Sequence, residues 1–114
     1  MILHFIWGAL KRYQRDNELK FVWYWEYDDD KTDEVIEIFK KAMAQREKGA
    51  QEVPKMIFGP FQHIGESKGF TVFETDDPEK LMYTAAHYVP FLRGSFVPLL
   101  ENVKGVEIWK KIHK

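Results

Sequence analysis

One histidine and two glutamates carry the side chains in this sequence that best fit acid–base chemistry. His63 lies in a predicted strand, Glu74 lies near the end of the next strand, and Glu26 ends an aromatic strand that begins at Phe21. Alternation of side chains places all three on one sheet face among apolar neighbours. Carboxylates beside an imidazole in apolar surroundings suit proton transfer near neutral pH. We predict His63 as the general acid or base, with Glu74 and Glu26 orienting it or sharing its proton.

Three aromatic side chains share this predicted face and are expected to line a pocket for a small apolar or aromatic molecule: Tyr24, Phe61 and Phe70. The polar group beside them also fits a structural role, as a hydrogen-bonded network or as a salt bridge between two copies of the chain. Both interpretations stay open, and with them the question whether the protein is an enzyme.

Metal and cofactor sites are not predicted. The four histidines, His4, His63, His87 and His113, show no His-x-His or His-x-x-x-His spacing, so a metal at His63 and Glu74 would need a third ligand from elsewhere in the fold. The chain has no cysteine, which excludes disulfides, cysteine-ligated zinc and thiol catalysis. This composition fits a reducing compartment, and we expect a cytoplasmic location.

The elements that position these residues follow the order β-α-β-β-α-β. Strands are predicted over residues 21–27, 55–64, 69–75 and 95–100, and helices over residues 32–48 and 78–89. Gly49 ends the first helix, Asp77 caps the second, and Gly59-Pro60 indicates a bulge or an edge strand. The pattern predicts an α+β fold of the ferredoxin-like type, with a four-stranded antiparallel sheet whose first and third strands are central.

Alternation sorts the side chains of this sheet between a face that the helices cover and an open face. The helix side is expected to hold Trp23, Trp25, Phe58 and Phe73. The open side is expected to hold the three acid–base candidates together with Val22, Tyr24, Phe61, Phe70 and Val72. A four-residue hairpin turn over residues 65–68 sets His63 opposite Phe70 in this assignment. Because an exposed face this apolar typically marks an interface, we predict a homodimer formed sheet against sheet.

Two further expectations concern the helices. The second predicted helix carries an apolar stripe that is expected to face the sheet, formed by Leu81, Met82, Ala85, Tyr88 and Val89. A short final element is predicted over residues 106–112, and Trp109 is expected to hold it against the rest of the domain.

The segment FGPFQHIGESKGFTVFETDDPEKL and the proline in FVPLL resemble small uncharacterised proteins of the dimeric α/β-barrel superfamily. The resemblance covers about residues 21–100. It implies a dimer with a pocket either between sheet and helices or inside a barrel. The wider superfamily includes cofactor-independent monooxygenases, muconolactone isomerases, haem-degrading enzymes and proteins with no known reaction. Oxygenase or isomerase chemistry on a small molecule is therefore one expectation, and the resemblance carries over no catalytic residue. The alternative is a non-enzymatic dimerisation or ligand-sensing module, and fold analogy does not choose between them.

Length and charge bound the domain count and the partners. The chain has 114 residues, enough for one core, which we assign to a single domain over residues 21–114.

Residues 1–20, with four basic and two acidic side chains, are predicted as an N-terminal extension that is either a loose helix or an amphipathic helix for an interface or a partner. Its apolar run is too short for a membrane span. The net charge of −1 argues against nucleic-acid binding, and KGFTVF departs from the RNA-recognition pattern after its third position.

Overall fold

Alternating apolar residues and strong turn signals give four strands and three helices along residues 19–113, the part of the chain that this computed structural model describes. A single 3-10 turn, Asp29–Lys31, leads into the first helix. The elements are β1 (Leu19–Tyr27), α1 (Thr32–Glu47), β2 (Lys55–Gln62), β3 (Lys68–Thr75), α2 (Pro78–Tyr88), β4 (Leu92–Leu99) and α3 (Asn102–Ile112). The predicted β-α-β-β-α-β order is confirmed, and α3 follows it.

The four strands form one antiparallel sheet in the order β2-β3-β1-β4. β1 and β3 are central, as predicted. Pro98 lies in β4, an edge strand with a neighbouring strand on one side only. Proline, which has no backbone N–H to donate, is tolerated in such strands. The fold is therefore α+β and ferredoxin-like, and in one chain its sheet is open and does not close into a barrel.

Local signals mark where the helices begin and end. The Asp77 side chain accepts a hydrogen bond from the Glu79 N–H at 2.9 Å, and Pro78 occupies the first turn of α2, which confirms the predicted cap. At the end of α1, Gly49 has a φ of 75°, a backbone conformation that glycine adopts without strain. These caps set the points at which the chain returns to the sheet.

The hydrophobic core lies between one sheet face and the helices α1 and α2. Phe73 on β3 is 1% exposed and Trp23 on β1 is 4% exposed. The Trp23 ring stacks on Phe96 at 5.3 Å and meets Tyr88 edge to face at 5.4 Å. The buried apolar residues of this core are Leu19, Phe21, Trp23, Val35, Phe73, Leu81, Tyr88 and Leu92.

The predicted position of Phe58 on the helix side is wrong. Met56 lies opposite Phe73, but the register shifts so that Phe58 lies opposite Val72. One extra residue in β2 moves the side chains that follow it to the other face, up to the next shift, because strand side chains alternate with a period of two. A second shift follows at Gly59-Pro60, where the bulge was expected. Phe58 therefore lies on the open face and is 54% exposed.

Two expectations about the helices are also wrong. Met82 and Val89, assigned to the apolar stripe of α2, are 66% and 64% exposed, and Thr84 is buried on that helix instead. The final element is a helix, but none of its residues is buried. Trp109 stacks on His113 of the same helix at 4.2 Å and is 60% exposed, so it does not hold α3 against the domain.

The N-terminal extension predicted over residues 1–20 falls almost entirely outside the described residues. Only its last two positions are described, and they belong to β1, which begins at Leu19 and not at Phe21. Within the described range, the helices are too short and too polar to cross a bilayer.

A neighbouring pair on α2 tests which face of this helix packs on the sheet. Leu81 is 5% exposed and Met82 is 66% exposed. We expect Leu81→Ala to lower the free energy of unfolding by about 2–5 kcal/mol, because it leaves a cavity in the core. Met82→Ala should change it by less than about 0.5 kcal/mol. Urea denaturation followed by circular dichroism measures both, and equal losses would contradict the placement of α2.

Candidate functional site

Three aromatic side chains form a row across the open face of the sheet. Tyr24 on β1 lies directly opposite Phe70 on β3, and Phe70 lies directly opposite Phe61 on β2. The Phe61 and Phe70 rings are 5.8 Å apart, and Phe58 joins them with its ring 4.7 Å from that of Phe61. The structure thus brings together the three residues predicted to line a pocket and adds Phe58, which the sequence analysis had placed elsewhere.

Valines continue this apolar centre toward β4. Val22 on β1 lies opposite Val72 on one side and Val97 on the other. Val22 is only 6% exposed because its two neighbours flank it, whereas Val97 is 42% exposed. We call these four aromatic residues and three valines the open-face patch: Tyr24, Phe58, Phe61, Phe70, Val22, Val72 and Val97.

Ion pairs border the open-face patch at both ends of the sheet. At one end the Glu74 carboxylate lies 3.7 Å from the Lys20 Nζ and 3.9 Å from the Lys55 Nζ. At the other end the Arg93 Nε donates to Glu26 Oε1 at 3.3 Å. The charged residues that border the patch therefore neutralise one another within the chain.

His63 lies in the hairpin loop and not within the patch. The hairpin is two residues out of the predicted register, since Phe61 takes the place opposite Phe70 and the His63 N–H donates to the Lys68 carbonyl. The His63 side chain is about half exposed, and its Nδ1 lies 3.2 Å from Glu66 Oε2. The predicted placement of His63 opposite Phe70 is wrong, because the bulges in β2 displace the residues that follow them.

The two glutamates of the predicted acid–base group lie at opposite ends of the sheet. Glu26 is opposite Lys68 at one limit of the β1–β3 ladder, and Glu74 is opposite Lys20, one pair from the other limit. At about 3.3 Å per residue this separates them by roughly 20 Å. His63 is at the Glu26 end, with one strand between them. One chain therefore does not assemble the three groups.

A cavity of about 200 Å³ lies on the other side of the sheet, beneath α1 and α2. Strands supply the rings of Trp23, Trp25 and Phe73, and α1 supplies Val35 and Phe39. Thr71 and Thr84 add buried hydroxyl groups, 3% and 5% exposed. The cavity is lined mostly by aromatic and aliphatic side chains with a few polar groups, which is the usual make-up of a small-molecule site.

Trp25 owes its place in the cavity wall to two residues on β3. Its indole N–H donates to the Thr71 hydroxyl at 3.1 Å. The ring lies across Gly69, where a Cβ would come within 2.8 Å of the indole and would also meet the Phe61 carbonyl oxygen. A glycine at this position is what lets the indole cover the strand.

Arg46 is the one charged side chain among the described residues that line the cavity. Its Nε and Nη2 are buried and have no hydrogen-bond partner, and the guanidinium carbon lies 5.4 Å from the centre of the Phe73 ring. Burial lowers the pKa of Arg46, and the neighbouring Tyr88 opposes this effect. Burial likewise raises the pKa of Tyr88, against the influence of Arg46. The guanidinium stays charged at neutral pH, because its ordinary pKa lies far above neutrality.

Sequence reasoning missed Arg46, although a signal was present. Val35, Phe39 and Ala42 mark the apolar stripe of α1, and the same helical spacing continues to position 46. An arginine on the stripe that faces the core is the signal that could have identified Arg46 as a candidate site residue. Nothing in the pattern of α1 alone distinguishes it from a long side chain that reaches past the core to water.

Among residues 19–113, no metal-ligand cluster competes with this cavity. In the described part of the chain, no three histidine, aspartate or glutamate side chains lie close enough together to hold a metal ion. The His87 Nδ1–H donates to the Tyr83 carbonyl oxygen of its own helix at 2.8 Å. The open-face patch and the sheet–helix cavity are therefore the two surfaces on which a function can be argued.

Comparison with known proteins gives one match. A family model described as "Domain of unknown function (DUF3303)" matches residues 19–113. No curated protein and no solved structure matches the chain. The matched segment runs from the first residue of β1 to the residue after α3, so it contains both candidate surfaces.

The close approach of Trp25 to Gly69 can be tested with two glycine substitutions. Gly69→Ala should lower the free energy of unfolding by about 1–3 kcal/mol, because the new methyl group overpacks the strand and displaces the indole. Gly105→Ala is the matched control, since a Cβ there meets nothing within 4 Å. In the helix α3 it should be neutral or stabilise by up to about 1 kcal/mol. Thermal unfolding measures both, and a neutral Gly69→Ala would contradict this account of the cavity wall.

Proposed function

The chain belongs to the DUF3303 family, and we propose that it binds a small apolar or aromatic molecule in its sheet–helix cavity. The observation that carries this proposal is the cavity itself, which stays open beneath the helices although the surrounding core is closely packed. Protein interiors usually close such spaces, because each unfilled volume forfeits dispersion contacts. A bound ligand would supply the missing dispersion contacts and would explain why a ring-lined cavity of about 200 Å³ stays open.

The size of the cavity limits the ligand. Sites for drug-sized molecules typically measure about 300–1,000 Å³, so a cavity of about 200 Å³ fits a smaller body of one or two rings. Flat indole and phenyl walls from Trp23, Trp25 and Phe73 favour a planar aromatic molecule, which can stack or meet them edge to face.

A second function, self-association, is favoured by the open-face patch. Phe58, Phe61 and Tyr24 are each about half exposed although they are large and apolar. At about 25 cal/mol per Å², covering several rings stabilises a complex by several kcal/mol. We propose a second copy of the chain as the cover, sheet against sheet. This arrangement is the one that the resemblance to dimeric α/β barrels implies.

The charges around the patch fit a symmetric partner. Glu74 with its lysines and Glu26 with Arg93 are already paired within one chain. A two-fold axis through the centre of the patch would therefore bring apolar surface onto apolar surface without burying an unpaired charge. In this second hypothesis the protein is a dimerisation or ligand-sensing module and needs no reaction.

Acid–base catalysis by His63, Glu74 and Glu26 depends on this dimer. Because the three groups lie apart in one chain, a shared proton requires that a partner bring its own residues to the opposite end of the sheet. Cofactor-independent oxygenase or isomerase chemistry at these residues is therefore a hypothesis that requires the homodimer. Ligand binding in the cavity does not depend on it.

Binding in the cavity can be observed through the tryptophans. We expect naphthalene-2-carboxamide, a neutral two-ring probe, to shift the indole N–H signals of Trp23 and Trp25 in ¹H–¹⁵N spectra, because both rings line the cavity. Trp109 lies on α3, away from the cavity wall, and its signal is the internal control. Shifts confined to Trp109, or no saturable shift at millimolar probe, would contradict the proposal.

Self-association can be tested in the centre of the open-face patch. The unmodified chain is expected to sediment at twice 13.6 kDa at about 10 μM. Phe61→Glu should give a folded monomer, since it places a charge on the apolar surface that the partner covers. Ile64→Glu is the matched control: Ile64 is fully exposed in the hairpin loop, and its substitution should leave the dimer intact. A monomeric unmodified chain would contradict the dimer but not the cavity.

A further inference from the structure

We propose that Arg46 receives the carboxylate of the bound molecule, so that the natural ligand is a small aromatic monocarboxylic acid. The inference rests on the proposed binding in the sheet–helix cavity and names the chemical class of its ligand. Its starting point is a cation in an apolar cavity whose buried donors have no partner.

The unpaired donors of Arg46 are the first step. A guanidinium has five N–H groups in a planar fork, and here Nε and Nη2 are buried without an acceptor. Buried donors, and charged ones above all, are almost always hydrogen-bonded in folded proteins. A polar atom left in this state marks a place where an acceptor from outside the chain belongs.

The described lining of the cavity provides no carboxylate for Arg46; its other polar side chains, Tyr88 beside Arg46 among them, are neutral. Among the described residues that line the cavity there is no aspartate or glutamate. Glu74 borders an adjoining groove that Arg46 also touches, but its carboxylate is engaged by Lys20 and Lys55. Glu34 has a buried oxygen without a partner, yet it lies twelve residues earlier on α1, about 18 Å along the helix axis. The counter-charge must therefore come from the ligand.

The count of charges decides between anion types. Arg46 is the single cation in the described lining of the cavity, while Lys55 and Lys80 border only the adjoining groove, so within the cavity it balances one negative charge. A carboxylate carries one charge and accepts two parallel hydrogen bonds from the guanidinium fork. A phosphate monoester carries nearly two at neutral pH and would leave one unbalanced in apolar surroundings. A monocarboxylate matches both the charge and the planar geometry.

The walls around Arg46 define the rest of the ligand. The guanidinium faces Phe73 at 5.4 Å, and Phe73 in turn lies 6.0 Å from the Trp23 ring. The anion site is therefore continuous with an aromatic wall. A ring that carries its carboxylate directly, or on a short linker, places the apolar part against these walls while the anion meets Arg46.

Two probes of nearly equal shape test the inference: 2-naphthoate and naphthalene-2-carboxamide. Calorimetric titration at pH 7 should show the acid binding to the unmodified chain about 10- to 100-fold more tightly than the amide, because a bidentate ion pair replaces a hydrogen bond from the guanidinium to a neutral acceptor. Arg46→Met removes the fork but keeps a long side chain, and should bring the affinities for the acid and the amide to within about threefold of each other. Arg46→Lys should keep part of the preference, since it keeps the charge and loses the bidentate geometry.

The outcomes separate this inference from the proposed function. If the unmodified chain binds acid and amide equally well, the cavity binds small molecules but Arg46 does not select an anion. If neither probe binds, the cavity proposal fails as well. The unliganded Arg46→Met variant is also expected to melt no lower than the unmodified chain, because it removes an unpaired buried cation. A marked drop in its melting temperature would mean that Arg46 has a structural partner, and it would overturn the inference.

Discussion

The alternation of side chains along β1 is the constraint on which both candidate surfaces depend. β1 is hydrogen-bonded to β3 on one side and β4 on the other, so it cannot rotate without breaking both ladders. Its odd positions, Trp23 and Trp25 among them, must face the helices, and its even positions, Val22 and Tyr24, must face away. The high aromatic content of the chain is thereby divided into a core with a cavity and an exposed patch.

Much of the fold could be predicted because its signals are local. The cap at Asp77, the stop near Gly49 and the aromatic run of β1 each act within a few residues of chain. The register of β2 could not be predicted, since a bulge is a relation between two strands. One extra residue between Met56 and Phe58 carried Phe58 to the opposite face, and a second between Phe58 and Phe61 completed the two-residue shift that moved His63 to the end of the sheet. The two shifts thus displaced one predicted core residue and one candidate site residue.

The apolar residues of the candidate site could be predicted from the sequence, whereas the partners of its charged residues could not. The row of Tyr24, Phe70 and Phe61 follows from alternation and was recognised. The charged residues instead formed ion pairs with whichever partner lay beside them, as Glu26 did with Arg93. Such exposed pairs contribute little to stability and tolerate many arrangements, so sequence spacing constrains them weakly. Arg46 escaped notice for the related reason that a helix stripe predicts burial but not which polar atoms burial leaves unpaired.

An unpaired guanidinium in an apolar cavity lowers the stability of the empty protein and favours a ligand that can pair with it. In the empty cavity the two buried, unpaired nitrogens of Arg46 destabilise the fold, and a ligand without an acceptor leaves that cost in place. A carboxylate removes it, and the low dielectric that penalises Arg46 alone strengthens the pair once it forms. Discrimination by an unsatisfied buried group exceeds what the aromatic walls achieve by shape, because the wrong ligand leaves the same donors unpaired. The burial of Arg46, and not the size of the cavity, is therefore what makes the site specific.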